Sequence, residues 1–197
     1  MYLLTETASP FALERWAAFF ANFGQFAKGF FYTLGISIGA LIVALLLGLI
    51  FGAMSSTHNK VLRGISRVYV EIFQNTPLLV QFVVVFYGIS ILTDGHVMIP
   101  ISLTAILCVG VYTGAYISEI IRTGIEAVPK GQTEAALSQG FTYADTMRII
   151  ILPQAVRTIL PPLTNQVVNL IKNTSTVAII SGADIMFTAK AWAYDTT

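Results

Sequence analysis

Polar side chains recur at helical spacing inside the apolar stretches of this sequence. Positions three or four residues apart share one face of a helix. In the fourth apolar stretch that face holds Asn165, Asn169, Lys172 or Asn173, and Thr176. In the third it holds Tyr112, Tyr116 and Glu119. In the second, around a kink that we expect at Pro77, lie Glu71, Gln74, Asn75 and Gln81.

These residue types offer hydrogen bonding and charge rather than catalysis. Polar groups within a membrane span are costly and tend to face the bundle interior or a watery cavity, so they could bind a polar solute. The alternative is hydrogen bonding between helices, worth about 0.6 kcal/mol per bond in membranes. For the carboxylates of Glu119, beside Arg122, and Glu71, one turn after Arg67, we expect structural ion pairs.

The composition indicates a membrane protein. Of 197 residues, 55% are hydrophobic and only 11% are charged, whereas an ordinary soluble domain has about 25% charged residues. The net charge of +1, without runs of like charge, gives no reason to expect a nucleic-acid partner. The single cysteine, Cys108, excludes an internal disulfide and a cysteine-based metal site. We predict no catalytic residue, no metal site and no cofactor bound by this chain.

Four apolar stretches predict membrane-spanning helices, because about 20 apolar residues cross the hydrocarbon core. We expect spans at about 30–54, 68–92, 98–119 and 158–183, within a transmembrane domain of residues 29–197. Residues 1–28 mix aromatic and charged side chains after a helix start at Ser9-Pro10, which predicts an interfacial segment. The loop after the first span carries Lys60, Arg63 and Arg67, and the next loop carries neither lysine nor arginine. The positive-inside rule therefore predicts an external N-terminus.

The third loop, about residues 120–157, contains the start and stop signals of two short helices. The first ends at Gly140, the usual residue for a left-handed C-cap. The second begins at Thr142, with Asp145 three positions on as a loose capping box. The pattern alone allows a projection that docks a partner or an amphipathic connector that packs on its own bundle.

Pairs of glycines at four-residue spacing allow membrane helices to approach closely. They occur at Gly35/Gly39, Gly48/Gly52 and Gly110/Gly114. We expect them to pack within the subunit rather than at a subunit interface.

The third loop resembles, at every motif position, the EAA loop of bacterial ATP-binding-cassette (ABC) importer permeases. The matching residues are Glu134-Ala135-Ala136, then Gly140 after three residues, Ile150 after nine more, and Leu152-Pro153 after one more. Four other segments resemble the permeases of polar amino-acid importers of the histidine, glutamine and arginine type. They are Gly29 to Leu34, Tyr69 to Gln81, Tyr116 to Val128, and Leu170 to Ser175, with Gln74-Asn75 where Arg-Gly is usual and Asn173 where Asp is common. The resemblance covers about residues 23–190.

The resemblance implies an all-α membrane protein with the type I ABC importer fold. Four spans are visible, and we expect a fifth that the sequence ends without showing. The chain lacks the Gly-x-x-x-x-Gly-Lys-[Ser/Thr] phosphate loop, so ATP and Mg would be bound by a separate cytoplasmic ATPase. The resemblance further implies a second permease subunit, identical or related, an extracellular or periplasmic amino-acid-binding protein, and a location in the bacterial inner (plasma) membrane.

For particular residues, the resemblance implies a coupling role in the third loop. The residues expected to contact the ATPase or shape the loop are Gln132, Glu134, Ala135, Ala136, Gly140, Leu152 and Pro153. The polar faces become candidates for the pathway of an amino-acid zwitterion, at Asn165, Asn169, Lys172, Asn173, Thr176, Tyr112, Tyr116 and Gln81. The rival class is a proton- or ion-coupled secondary transporter that uses Glu71 or Glu119, although no inverted repeat is visible.

Overall fold

The computed structural model describes residues 13–180 and 182–195, and in these ranges the chain forms helices and no strands. The predicted helix start at Ser9-Pro10 lies outside the described residues. The elements are α1 (Leu13–Ala21), α2 (Phe23–Ser55), α3 (Lys60–Asn75), α4 (Leu78–Val83), a π-helical segment (Val84–Gly88), α5 (Ile89–Leu92), α6 (Ile101–Glu126), α7 (Lys130–Ser138), α8 (Tyr143–Asp145), a second π-helical segment (Thr146–Ile151), α9 (Leu152–Asn173), a 3-10 helix (Thr174–Ile180) and α10 (Ile185–Asp195).

Within the described ranges, α2 and α6 are the two helices that are long and apolar enough to cross a membrane on their own. The predicted span at 68–92 is not one straight helix, since α3 and the α4–α5 segment meet at a bend of 97°. The stretch at 158–183 also differs from the prediction. It lies in α9, which starts six residues earlier and gives way to the 3-10 helix at Thr174. Likewise α2 begins at Phe23, so the expected boundary at 28/29 falls inside a helix.

The main contact of the fold joins α2 and α6 through small residues. A Cβ on Gly48 would lie 2.4 Å from Ile117 Cγ2, and one on Gly52 would lie 2.8 Å from Ile121 Cβ. From the other side, a Cβ on Gly110 would lie 2.8 Å from Val43 Cβ. Packing of these glycines within the subunit confirms the prediction, whereas the position of Gly35 faces open space. We call this contact the α2–α6 seam.

The order of contacts along the α2–α6 seam gives the direction of both helices. Gly39 faces Ile106, Gly48 faces Ile117 and Gly52 faces Ile121, so the residue numbers rise together. The two helices therefore run parallel. Because α2 and α6 both begin on one side of the bundle and end on the other, the segment α3–α5 must return the chain to the side where α6 begins.

Helix α3 is held against the seam by three side chains that donate to backbone carbonyls. Ser66 donates to Phe51 O at 2.7 Å, Tyr69 to Val111 O at 2.7 Å, and Gln74 Nε2 to Ala115 O at 3.3 Å. The ring of Tyr69 also stacks on that of Phe51, with centroids 4.0 Å apart. Polar residues of α3 thus bind it to α2 and α6.

The opposite end of α2 packs on α10. The buried Asp184 carboxylate accepts from Phe187 N at 3.1 Å and Met186 N at 3.3 Å, which caps α10. Burial raises the pKa of this carboxyl above its usual value, and the backbone donors oppose the shift. Ile185 N donates to Thr33 Oγ1 at 3.1 Å, and a Cβ on Gly29 would lie 2.8 Å from Thr188 Oγ1. The sequence analysis did not single out Asp184.

Candidate coupling loop and translocation residues

The third loop is built around α7, and its C-terminal end has a complete Schellman motif. Gly140 has φ +88°, in the left-handed region that glycine adopts without strain. Its N–H donates to Leu137 O at 3.0 Å, and Phe141 N–H donates to Ala136 O at 3.1 Å. These are the two bonds that define the motif. They fix the direction in which the chain leaves α7.

The residues of the EAA pattern on α7 differ in exposure. Ala136 is buried, only 3% exposed, whereas Gln132, Glu134 and Ala135 are exposed. Glu134 is exposed and also lines the cavity between α7 and the ends of α2 and α6, whereas Ala135 is exposed outside that lining. An acidic and a small side chain are therefore accessible on α7, and the next alanine is buried.

The chain after Gly140 is shaped by Thr142 and Pro153. Thr142 Oγ1 accepts from Asp145 N at 3.1 Å and donates to Asp145 Oδ2 at 2.5 Å, which starts α8. The π-helical segment Thr146–Ile151 ends just before Pro153, in the first turn of α9. Proline has no N–H to donate to the carbonyl four residues earlier, so a wide turn is accommodated at this point. Leu152 and Pro153 are both exposed.

A glutamine connects α7 to α9. Gln154 Nε2 donates to Ile150 O at 2.8 Å and lies 3.5 Å from Gln132 Oε1. Behind α7 a cavity of about 720 Å³ separates it from the ends of α2 and α6, and its lining includes His58, Glu126, Thr133 and Tyr143. The third loop thus contacts the rest of the subunit through a few defined contacts.

Both carboxylates that could serve proton coupling have guanidinium partners. Arg67 Nε lies 2.7 Å from Glu71 Oε1, at a site where the arginine side chain is 78% exposed. Arg122 Nε donates to Glu119 Oε2 at 2.9 Å, a second nitrogen of the same arginine contacts the other Glu119 oxygen, and a third contact at 2.5 Å reaches Glu126 Oε2. Each pair joins residues of one helix, three or four positions apart.

The predicted pathway residues fall into three settings. Asn165, Asn169 and Lys172 are exposed on α9, and Asn173 and Thr176 are half-buried. Because the 3-10 helix begins at Thr174, Thr176 does not continue the same α-helical face. On α6 the hydroxyls of Tyr112 and Tyr116 lie 3.1 Å apart.

Gln81, one of the predicted pathway residues, lies at the bend between α3 and α4. It is 8% exposed, and its amide donates to Phe73 O at 3.2 Å and Thr76 O at 3.0 Å. These carbonyls lie at the end of α3, where the break before Pro77 leaves them without helical partners. Gln81 therefore closes the bend between α3 and α4, and these contacts leave its amide no free donor toward a solute. On α9 the sequence analysis missed Gln166, a buried amide one turn before the buried Leu170.

Residues 44–197 match the family described as the binding-protein-dependent transport system inner membrane component. The chain belongs to this family. It is therefore a membrane permease subunit of a binding-protein-dependent importer, and ATPase activity in such systems lies in a separate subunit. This membership does not favour a proton- or ion-coupled secondary transporter.

Relatives and solved structures agree with this assignment. The chain is 41% identical over 173 residues to the probable glutamine ABC transporter permease protein GlnM of Bacillus subtilis (strain 168), covering 86% of this chain and 77% of the relative. It is 35% identical over 187 residues to the glutamate/aspartate import permease protein GltJ of Escherichia coli (strain K12), with 86% and 76% covered.

Among solved structures, an amino acid ABC transporter crystallised with histidines aligns with a TM-score of 0.84 and 33% identity, covering 91% of this chain and 83% of the other. An inward-facing MetNI methionine ABC transporter aligns with a TM-score of 0.66 at 18% identity, covering 82% and 76%. At that identity the second alignment shows the fold alone. The predicted fold class, a type I ABC importer permease, is confirmed.

Proposed function

We propose that this permease imports a polar amino acid and that α7 transmits the motion of a cytoplasmic ATPase to the membrane helices. The observation that carries this proposal is the exposure of Glu134 and Ala135 on α7, a helix that is capped at Gly140. The names of the relatives, which act on glutamine and on glutamate or aspartate, support the substrate class.

In the proposed mechanism, ATP binding closes two ATPase subunits and α7 moves with them as a rigid body. The small side chain of Ala135 allows close approach of the two backbones, and Glu134 can pair with a basic group of the ATPase. The Schellman motif and the Gln132–Gln154 contact pass the movement on to α9. The two states differ in the contacts that α7 makes, as a conformational switch requires. Hydrolysis of ATP then returns the permease to the inward-facing state.

The solute pathway is proposed to lie between two permease subunits, identical or related. The exposed amides of Asn165 and Asn169 on α9, with Lys172, supply donors for a carboxylate, and the Tyr112–Tyr116 pair supplies aromatic faces for an ammonium. Asn173 and Thr176 extend this surface into the 3-10 helix.

The proposed orientation puts the N-terminus outside and α7 in the cytoplasm. The parallel direction of α2 and α6 supports it, because both helices then end on the side that carries Lys60, Arg63 and Arg67. The amino-acid-binding protein docks on the opposite face in this arrangement.

Co-purification with the ATPase tests the proposal. The permease is expressed beside its ATPase as wild type, as Glu134→Arg, and as Asp94→Arg, a matched control in the exposed loop that we place outside. We expect wild type and Asp94→Arg to retain the ATPase and Glu134→Arg to lose most of it. Equal retention by Glu134→Arg would refute docking through α7. Failure of wild type to retain any ATPase would refute ATP-driven transport.

A further inference from the structure

A second polar cavity, of about 390 Å³, lies between α3 and the end of α6 near the coupling loop. Its volume is within the range of about 300–1,000 Å³ that is usual for small-molecule sites. Arg63, Arg67 and Glu71 line it from α3, and Glu119, Arg122 and Glu126 line it from α6. We call it the two-wall cavity.

The walls of the two-wall cavity carry opposite net charge. Two arginines and one glutamate give the α3 wall a net charge of +1, and one arginine and two glutamates give the α6 wall −1. Opposite walls of this kind create a field across the cavity. A dipolar solute with separated positive and negative groups is the ligand that this field orients.

The charges of the two walls do not neutralise each other directly. Among residues 13–180 and 182–195, the three ion pairs all lie within one helix, Arg67–Glu71 in α3 and Arg122 with Glu119 and Glu126 in α6. In the same part of the chain Arg63 has no ion pair. Its guanidinium can therefore bind a carboxylate through two parallel hydrogen bonds.

Each wall of the two-wall cavity also keeps an acceptor that is not engaged by another residue. Gln74 uses its amide nitrogen on Ala115 O, which leaves its carbonyl oxygen as an acceptor. Glu126 has one oxygen engaged by Arg122, and the second can accept from an ammonium. Arg63 on the α3 wall can thus donate to a carboxylate, and Glu126 on the α6 wall can accept from an ammonium.

We propose that the two-wall cavity is a binding site for the α-ammonium and α-carboxylate of a free amino acid on the cytoplasmic side. The carboxylate binds Arg63 on the α3 wall, and the ammonium binds Glu126 on the α6 wall. This proposal rests on the proposed function, because an amino acid released from the pathway is the dipolar solute present there. The site contacts only the α-ammonium and α-carboxylate, so amino acids whose side chains differ in charge bind with similar affinity.

A probe inside the cavity tests this proposal. Val70 is a lining residue, and Cys108 is buried, so Val70→Cys in the permease–ATPase complex can be labelled with a trifluoromethyl thiol reagent. The ¹⁹F resonance is followed on addition of L-glutamine, glutaramic acid (which lacks the α-ammonium) or 4-aminobutanamide (which lacks the α-carboxylate). We expect a saturable shift with L-glutamine and binding about tenfold weaker or more with each analogue, because each loses a charge-assisted hydrogen bond.

Variants of the charged residues test which wall binds each charged group of the amino acid. In the labelled background, Arg63→Gln and Glu126→Gln should each weaken L-glutamine binding about tenfold, whereas Lys60→Gln, an exposed residue of α3 outside the cavity lining, should not change it. Uptake of L-glutamine, L-glutamate and L-arginine by the same complex is measured in parallel. ATP-driven uptake without a saturable shift, or with equal shifts from the analogues, would overturn the cavity site alone. Absence of ATP-driven uptake would overturn the proposed function instead.

Discussion

Replacing Gly140 by alanine adds a single methyl group, and the structure predicts that it weakens the cap of α7 without any steric clash. A Cβ at this position meets nothing within 4 Å, so the effect comes from the backbone alone. A residue with a Cβ pays about 1–2 kcal/mol in the left-handed region. That cost falls on the two bonds of the Schellman motif, from Gly140 N to Leu137 O and from Phe141 N to Ala136 O.

Hydrogen exchange measures this cost directly. A loss of about 1–2 kcal/mol corresponds to a factor of about 5–30 in the opening equilibrium, so the amide of residue 141 should exchange faster by that factor in Gly140→Ala. ATP-driven uptake in proteoliposomes should fall, with membrane insertion unchanged. A bulky, β-branched replacement such as Gly140→Val should abolish uptake.

Two control variants separate backbone strain from other effects. Gly140→Asn should be milder, because asparagine tolerates the left-handed region better than alanine. Gly131→Ala makes the same chemical change near the start of α7, where φ is not positive and the space is open, and should stabilise the helix by up to about 1 kcal/mol. Unchanged exchange and uptake in Gly140→Ala, or an equal defect in Gly131→Ala, would refute the argument.

Two further predictions concern the membrane helices, and both are measured by thermal unfolding in detergent, with the reaction of buried Cys108 as the signal. Gly48→Val should destabilise the protein by about 1–3 kcal/mol, because even its Cβ would lie 2.4 Å from Ile117 Cγ2, whereas Gly35→Val should change little. An equal loss of stability in both variants would argue against the α2–α6 seam. Gln81→Leu should cost about 1–3 kcal/mol, since it removes the donor to Phe73 O and Thr76 O at the bend. The exposed Gln25→Leu is its control, and no difference between the two would show that the bend does not depend on Gln81.

Features that depend on neighbours in the chain could be predicted from the sequence. The left-handed glycine and the Thr142 cap follow from local backbone chemistry, and the kink expected at Pro77 is present as a break in the helix. Features that depend on distant contacts could not. Gln81 and Gln74 look alike as polar residues beside a proline, yet one closes the bend and the other reaches α6. The length of an apolar stretch likewise does not reveal a bend of 97° within it.

The candidate site divides in the same way. The motif spacing located the third loop as the candidate coupling segment, because its residues lie in one continuous stretch of chain. The two-wall cavity was not predicted, since its walls come from helices about 50 positions apart, and charged residues at span ends have no sequence feature that marks them as facing each other. Asp184 caps α10 at the contact between α10 and α2, and no local sequence pattern predicts that contact.

The α2–α6 seam limits how this permease can move. Two isoleucines of α6 each lie in the space left by a glycine of α2, Ile117 at Gly48 and Ile121 at Gly52. A shift of one turn toward the start of α2 would place Ile117 against Ala44, and a shift of one turn toward its end would place Ile121 against Ser56. Neither residue leaves the space that a glycine leaves. These contacts oppose sliding of α2 along α6, so the two helices are expected to move together as one rigid unit. In the proposed mechanism, the change between outward- and inward-facing states must then come from tilting of that pair as a unit or from movement at the bend between α3 and α4.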